Sequence, residues 1–250
     1  MGRWVVVGLV AMSCGETEAV VRRSAPMLEP DTGLYVADHD LPAETLEEAL
    51  ALEDPVASSQ SGLTVAQVGG RDDLWSREKR RALTYCIDVG AFGRSSATVE
   101  RALLDAASDW EQSADVKFTR LKAEDARCTR ANANVVFNVR PARGRGYLAR
   151  SFFPSQRRSV RELVIDASAM PPPRPWSLTG VLRHELGHVL GLRHEHTRLT
   201  SNPCFEDSQW RAVTPYDVRS VMHYPQCAGT AAGDLVLTDL DRRGVGALYH

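Results

Sequence analysis

Three histidines and one glutamate lie within eleven consecutive residues, in a run that reads H-E-x-x-H-x-x-G-x-x-H. Residues four positions apart share one face of a helix, so His184 and His188 can offer two imidazole nitrogens to one metal ion. Glu185 lies beside this pair, within reach of a water molecule on that ion. Gly191 tolerates a positive φ, so the chain can turn sharply there and bring His194 round as a third ligand.

Three nitrogen ligands leave the fourth position of a tetrahedral zinc ion to water, which is the arrangement of a catalytic site. Zinc lowers the pKa of such a water and polarises a carbonyl oxygen, while Glu185 can act as the general base. The run therefore predicts a zinc-dependent peptidase with one catalytic Zn2+ ion. A surface helix with solvated histidines is the alternative, but it does not account for a match at every required position.

Positioning these side chains requires a helix that ends at the glycine turn. Ser177 or Thr179 can cap its N-terminus, and we expect it to run to Leu190. Thr238 caps a last helix that ends at Tyr249. Apolar patterns predict the earlier elements, which are helices over 43–52 and 99–111 and strands over 82–89, 134–139, 146–153 and 162–166. Early strands with flanking helices indicate an α+β fold.

Downstream of the histidines, the sequence contains a methionine-containing segment, S-V-M-H-Y-P over 220–225. A long zinc motif followed by such a turn resembles the metzincin clan of metalloproteases. Glu195 after the third histidine and the S-x-M-H-Y pattern are similar to the astacins, whereas the segments 149–154 and 237–249 are similar to the matrixins. The resemblance extends over residues 75–250 and is most specific at the zinc helix and the Met-turn.

This resemblance implies a twisted, mostly parallel sheet with flanking helices, the zinc helix at the cleft, a Met-turn and a C-terminal helix. Met222 would form the hydrophobic base under the zinc. Tyr224 would be a catalytic phenol, either a loose fifth ligand or a donor to the oxyanion; a half-buried aromatic is the alternative. Matrixins bind a structural zinc through histidines in the segment 154–166, where this chain has none. We therefore expect no second zinc, and structural calcium has no support.

An extended peptide substrate would add a strand to the edge of the sheet, and 146–153 is the best candidate for that edge. The arginines near it either favour acidic substrates or form only a solvated basic face; they are Arg140, Arg143, Arg145, Arg150, Arg157, Arg158 and Arg161. The net charge of −2 gives no indication of nucleic-acid binding. We expect a monomer that acts on proteins or peptides. The alternative is a catalytically inactive metzincin-fold module that binds zinc or protein at a surface.

The first fourteen residues have the pattern of an export signal. Arg3 precedes an apolar run from Trp4 to Met12, which is too short to span a bilayer. Cys14 follows, and the arrangement resembles a bacterial lipoprotein signal that is cleaved before Cys14 and lipidated on it. A plain secretory signal with an incidental cysteine, or no signal, is the alternative. We expect an exported protein, either a cell-envelope lipoprotein (outer membrane or surface) held by that lipid or a secreted one.

Four cysteines remain downstream, an even number that indicates two disulfides in an exported chain. Three pairings are possible. We favour Cys86–Cys128 and Cys204–Cys227, because each pair lies on one side of the zinc helix.

An acidic leader, 15–70, separates the signal, 1–14, from a basic peptidase domain, 71–250. The leader has eleven acidic and two basic residues, a net charge of −9, whereas the domain has 27 basic and 21 acidic residues, a net charge of +6. The leader is a tether or a propeptide that covers the basic cleft. A covering leader could cap the zinc through Asp31, Asp38, His39 or Asp40. The basic junction 77–81 is a processing site or the solvated flank of the first strand.

Overall fold

The computed structural model describes residues 25–37, 40–52, 63–172, 175–198, 208–224, 227 and 234–250. The predicted signal with Cys14, and also Asp38, His39 and Cys204, lie outside these ranges. Within the ranges, no helix is both long enough and apolar enough to cross a bilayer.

Short strands and helices alternate along the described chain. The helices are α1 (Leu46–Ala51), α2 (Val89–Phe92), α3 (Ser96–Glu111), α4 (Leu178–Val189) and α5 (Asp239–Leu248). The strands are β1 (Met27–Leu28), β2 (Tyr35–Ala37), β3 (Leu41–Ala43), β4 (Thr64–Val68), β5 (Arg71–Asp72), β6 (Leu83–Ile87), β7 (Phe118–Arg120), β8 (Phe137–Ala142), β9 (Ala149–Arg150), β10 (Glu162–Asp166), β11 (Leu192–Arg193) and β12 (Trp210–Ala212).

The central sheet has five strands in the order β7-β6-β8-β10-β9. Four of them run parallel, and β9 alone is antiparallel to its neighbour, β10. β9 forms one edge of this sheet, as expected for the strand along which a substrate would lie. The predicted α+β fold with a mostly parallel sheet is confirmed.

Two strands differ from their predicted bounds, and backbone geometry explains the difference at β9. The strand expected over 134–139 lies at 137–142, and the one expected over 146–153 is reduced to the two residues of β9. Gly144 and Gly146 have φ angles of 66° and 77°. The chain therefore enters β9 through left-handed backbone that interrupts regular pairing.

Helix α3 packs against α4, the helix that carries the H-E-x-x-H run. Its apolar face, which includes Val99, Leu103 and Trp110, is buried in the main hydrophobic core. The indole Nε1 of Trp110 donates a hydrogen bond to the backbone carbonyl of Arg183 at 2.9 Å. The position of α4 thus depends on long-range packing as well as on its own sequence.

Strand β4 belongs to the predicted leader by sequence, but it pairs antiparallel with β11 and β12. Leu63 and Val65 are only 1% and 0% exposed. The hydroxyl of Thr64 also donates to the backbone carbonyl of Arg193, immediately before His194. Removal of a leader that included β4 would therefore take away the strand that supports the third histidine.

The basic junction packs against the domain. Residues Lys79–Arg81 form a 3-10 turn, and Arg80 is 7% exposed. Its guanidinium binds Asp115 at 2.8 Å, and Arg81 binds the same carboxylate at 2.6 Å. The junction flanks the first predicted strand, as one of its two expected roles required, but Arg80 is buried there instead of solvated.

Residues 25–37 and 40–52 fold as a small unit against the central sheet region. β1, β2 and β3 form an antiparallel sheet, and α1 begins at a capping box made by Thr45 and Glu48. Val36 is buried against Tyr147 and Val164 of the central sheet region. This unit therefore covers the edge of the sheet at β9 and β10.

Cys86 and Cys128 form a disulfide across a sequence separation of 42 residues, which confirms the first predicted pair. Cys227 is also disulfide-bonded. Because Cys204 lies outside the described residues, the second pairing stays a prediction. Disulfides persist mainly in oxidising compartments, so the first bond agrees with an extracellular setting.

Candidate active site

Helix α4 places two of the predicted ligands one turn apart. Ser177 is its N-cap, with the hydroxyl accepting a hydrogen bond from the Gly180 amide at 2.9 Å. At the other end, Gly191 has a φ of 84°, and a Cβ there would lie 2.1 Å from the carbonyl oxygen of Asp73. Only glycine fits this turn, which carries the chain through β11 to His194.

The three predicted histidines converge on one point. His184, His188 and His194 are buried, and the Nε2 atoms of His184 and His194 lie 3.2 Å apart. The Nδ1 of His184 lies 2.7 Å from the carbonyl of Val221, and that of His188 lies 2.8 Å from the carbonyl of Leu192. Donation from Nδ1 to a carbonyl leaves the Nε2 lone pair free for a metal.

A leader carboxylate completes this cluster. Oδ2 of Asp40 lies 3.3, 3.6 and 3.2 Å from the Nε2 atoms of His184, His188 and His194. One ligand atom from each of the four residues falls within 4.8 Å of all the others. Among the leader residues expected as possible caps, Asp40 is at the histidines, whereas Asp31 binds Arg140 and Arg145 instead.

The chemistry of this donor set fits a zinc ion. Imidazole and carboxylate groups are both common zinc ligands. All four side chains of this cluster are shielded from solvent. Nε2 of His188 is a buried polar atom without a hydrogen-bond partner among the described residues. Burial lowers the pKa of His188 to about 4, so this imidazole is neutral at pH 7, as a ligand must be.

Glu185 lies beside the histidines at the wall of the cleft. It is 3% exposed, and its Oε2 has no hydrogen-bond partner in the described part of the chain. Burial, and then the negative charge of Asp40, raise the pKa of Glu185 well above its usual value. For Asp40 itself, burial favours a higher pKa, but His194 and His188 outweigh it and hold the pKa well below the usual value.

A cavity of about 440 Å³ opens next to Glu185. It lies between α4 and the β9 edge of the sheet, and its wall is mostly apolar. The lining includes Leu148, Trp176, Val181 and Leu235 as well as His184, Glu185 and Tyr224. The space is large enough for a side chain of a peptide that lies along β9.

Met222 packs closely against helix α4. It is 0% exposed, and a Cβ on Gly187 of α4 would come within 2.3 Å of its sulfur. The glycine in H-E-x-G-H thus lets the helix approach the methionine closely.

Asp241 of α5 fixes this turn, a role that the sequence analysis missed. Its carboxylate accepts hydrogen bonds from the Ser220 hydroxyl at 2.6 Å and from the Val221 amide at 3.0 Å. The carbonyl of Val221 in turn binds Nδ1 of His184. The signal available in the sequence was the T-D-L-D capping box of α5, which Thr238 and Asp241 form.

Tyr224 lies beside His194 and Asp40 of the cluster. Its ring centroid lies 4.3 Å from that of His194, and its hydroxyl donates to Oδ2 of Asp40 at 2.5 Å. The backbone amide of Tyr224 donates to Nδ1 of His196, and His223 binds Tyr216. His196 and His223 are therefore buried near the three predicted ligands but are not part of the four-residue cluster.

Comparison with known proteins places this site in a family. The Matrixin family profile matches residues 74–223, a span that contains the central sheet, α4 and the Met-turn as far as His223. Protein SpAN of Strongylocentrotus purpuratus is 26% identical over 86% of this chain and 34% of its own length, so the chain spans about a third of that relative. The solved structure of myroilysin matches the fold with a TM-score of 0.51 at 17% identity, over 74% of this chain and 98% of that one. Because the profile covers more than half of the sequence, the chain belongs to the matrixin family of metalloproteases.

Proposed function

We propose that this protein is an exported zinc-dependent endopeptidase with Glu185 as its general base. The observation that carries the proposal is the convergence of His184, His188 and His194 beside a buried Glu185 at the wall of a cleft. Family membership supports the reaction class. The protein acts as a monomer on proteins or peptides.

The three histidines would hold the zinc ion, which supplies a water of lowered pKa and polarises the scissile carbonyl. Glu185 accepts the proton of the attacking water and passes it to the leaving amine. Its buried, apolar surroundings raise the pKa of the carboxyl, which suits a group that must both take and return a proton. The hydroxyl of Tyr224 is placed to donate to the oxyanion once Asp40 no longer accepts its hydrogen bond.

An extended substrate would pair with β9 and direct one side chain into the neighbouring cavity. The apolar lining of that cavity favours an apolar side chain at this position. Met222 and Asp241 take no part in bond cleavage; they keep the Met-turn, and through it His184, in place.

We further propose that the leader is a propeptide. Oδ2 of Asp40 lies within 3.2–3.6 Å of all three histidine Nε2 atoms, where it would act as the fourth zinc ligand. A carboxylate in this position excludes the water that the reaction needs. In this proposal the removable part ends before Leu63, because β4 supports β11.

The endopeptidase proposal is tested with a chain that begins at Leu63. We expect it to hydrolyse casein, to lose this activity to a zinc chelator, and to contain about one zinc per chain, as a three-ligand catalytic site requires. His194→Ala should lose both the zinc and the activity. Two zinc ions, or none in an active protein, would contradict the assignment, and one zinc without hydrolysis would support the inactive binding module instead.

Export through a lipid anchor is a separate proposal, supported by the sequence around Cys14 and by the Cys86–Cys128 disulfide. We expect the mature protein to be found with membranes, and Cys14→Ser to move it to the soluble exported fraction or to block its processing. Fractionation of the two forms with a lipid-labelling assay provides the measurement. A wild-type protein that is soluble and keeps its residues before Cys14 would rule out the lipoprotein.

A further inference from the structure

Three arginines and a tyrosine bind the leader at a second place, through leader residues other than Asp40. Arg150 of β9 is 0% exposed and donates through Nε and Nη2 to the carboxylate of Glu29, at 2.9 and 2.5 Å. The hydroxyl of Tyr147 donates to the same carboxylate. Arg140 and Arg145 bind Asp31 at 3.2 and 2.6 Å. We call Arg140, Arg145, Tyr147 and Arg150 the arginine cradle.

The leader carboxylates are strongly held in this cradle. Glu29 is 0% exposed, yet its pKa is lowered to about 2, because hydrogen bonds and charge from Arg150 outweigh the cost of burial. Paired, charge-assisted hydrogen bonds of this geometry are among the strongest polar contacts in proteins. Glu29 is therefore ionised at neutral pH, and both of its carboxylate oxygens accept hydrogen bonds from the cradle.

The cradle needs an anion when the leader is absent. Within the domain, the guanidinium of Arg140 binds Glu162, and Asp166 accepts a hydrogen bond from the backbone amide of Arg145. Without the leader, Arg150 would lose its bidentate carboxylate partner, a place that a carboxylate of a peptide can take. Even with the leader bound, Nη1 of Arg150 and Nη2 of Arg140 have no hydrogen-bond acceptor among the described residues.

The cradle also adjoins the substrate cleft. Arg150 is part of β9, the edge strand along which a substrate would extend. Tyr147 contacts Glu29 through its hydroxyl and at the same time lines the cavity beside Glu185. A peptide that occupies the cleft therefore passes next to the cradle.

We propose that the arginine cradle is a second binding site for peptide substrates, specific for acidic side chains, which Glu29 and Asp31 of the leader fill in the full-length protein. The inference rests on the proposed function in one respect, namely that the ligand is a peptide substrate. The leader supplies a natural example of the ligand, the segment Glu29-Pro30-Asp31. Substrates with acidic residues outside the cleaved bond would gain affinity from this site, and neutral ones would not.

In the test, the substitutions Glu29→Ala and Asp31→Ala remove both leader carboxylates from the cradle of the full-length protein. The probe is the blocked tripeptide acetyl-Glu-Pro-Asp amide, and acetyl-Gln-Pro-Asn amide is the matched neutral control. We expect saturable binding of the acidic probe by calorimetry, about tenfold or more tighter than the control, since the control cannot form bidentate ion pairs. Addition of Arg150→Met should abolish this difference, and the wild type should bind neither peptide because its own Glu29 fills the site.

Equal binding of both peptides, or no binding to the vacated protein, would overturn the proposal. If the double alanine variant does not fold by circular dichroism, Glu29→Ala alone removes the carboxylate from Arg150 and allows the same measurement with the two peptides. This test requires neither zinc nor turnover, so its failure is distinguishable from failure of the endopeptidase proposal.

A kinetic measurement separates a substrate site from a site that serves only the leader. The full-length protein with Asp40→Ala, Glu29→Ala and Asp31→Ala is assayed on two peptides that differ only in a Glu-Pro-Asp or Gln-Pro-Asn segment. We expect a lower KM for the acidic peptide with similar kcat, and loss of that preference with Arg150→Met. Equal KM values would show that the cradle binds the leader alone.

Discussion

Glu185→Ala should remove most turnover while the zinc site stays intact. We expect kcat to fall by about 10²–10⁴-fold, the usual cost of losing a general base. Glu185 is not one of the four clustered ligand residues, so zinc content should remain at the wild-type value. The measurement is kcat on a peptide substrate, with metal analysis of the same sample.

The control for this variant is Glu185→Gln, which keeps the size of the side chain and removes only its ability to accept the proton. The neutral amide suits a buried position where burial already raises the pKa of the carboxyl. We expect the same loss of turnover and an unchanged thermal unfolding midpoint. Wild-type activity in the Gln variant would show that a different group takes the proton.

Asp40→Ala should activate the full-length protein. The variant loses the carboxylate that lies against the three histidines and accepts the hydrogen bond of Tyr224. Hydrogen bonds to charged groups contribute about 1.5–3 kcal/mol, so activity should rise by roughly 10–100-fold over the unprocessed wild type. The assay compares uncleaved proteins, with the leader verified by mass, on the same peptide substrate.

Glu44→Ala is the matched control, because it removes a leader carboxylate that binds the exposed Arg157 and not the histidines. This variant should stay as inactive as the unprocessed wild type. If both variants had wild-type activity while the chain from Leu63 was fully active, Asp40 would not be the inhibitory residue. If all forms were equally active, the leader would act only as a tether.

The local motifs were readable from the sequence because their geometry depends on neighbouring residues. Helical spacing places His184 and His188 on one face, and Gly191 is the residue that allows the turn to His194. The mostly parallel sheet was predicted through the family resemblance, and the first disulfide was predicted because both of its cysteines precede the zinc helix in the sequence. The predicted strand over 146–153 was too long, because apolar pattern does not report the positive φ angles that precede β9.

Contacts between distant parts of the chain could be identified only from the tertiary structure. The sequence offered four leader residues as possible zinc caps, and the fold brings one of them, Asp40, to the histidines across 144 residues of sequence. The same holds for β4, which lies within the predicted leader but pairs with β11. Nothing local distinguishes these residues from other carboxylates and short strands.

The sequence by itself identified the candidate metal ligands and the candidate general base, because three histidines, a glutamate and a methionine turn have fixed spacings along the chain. Only the tertiary structure showed which other residues surround this candidate site. Asp241 reaches the Met-turn from the last helix, and Glu29 reaches Arg150 across a separation of 121 residues. Such pairs form where packing brings buried charges together, and their partners are selected by the whole core instead of by sequence distance.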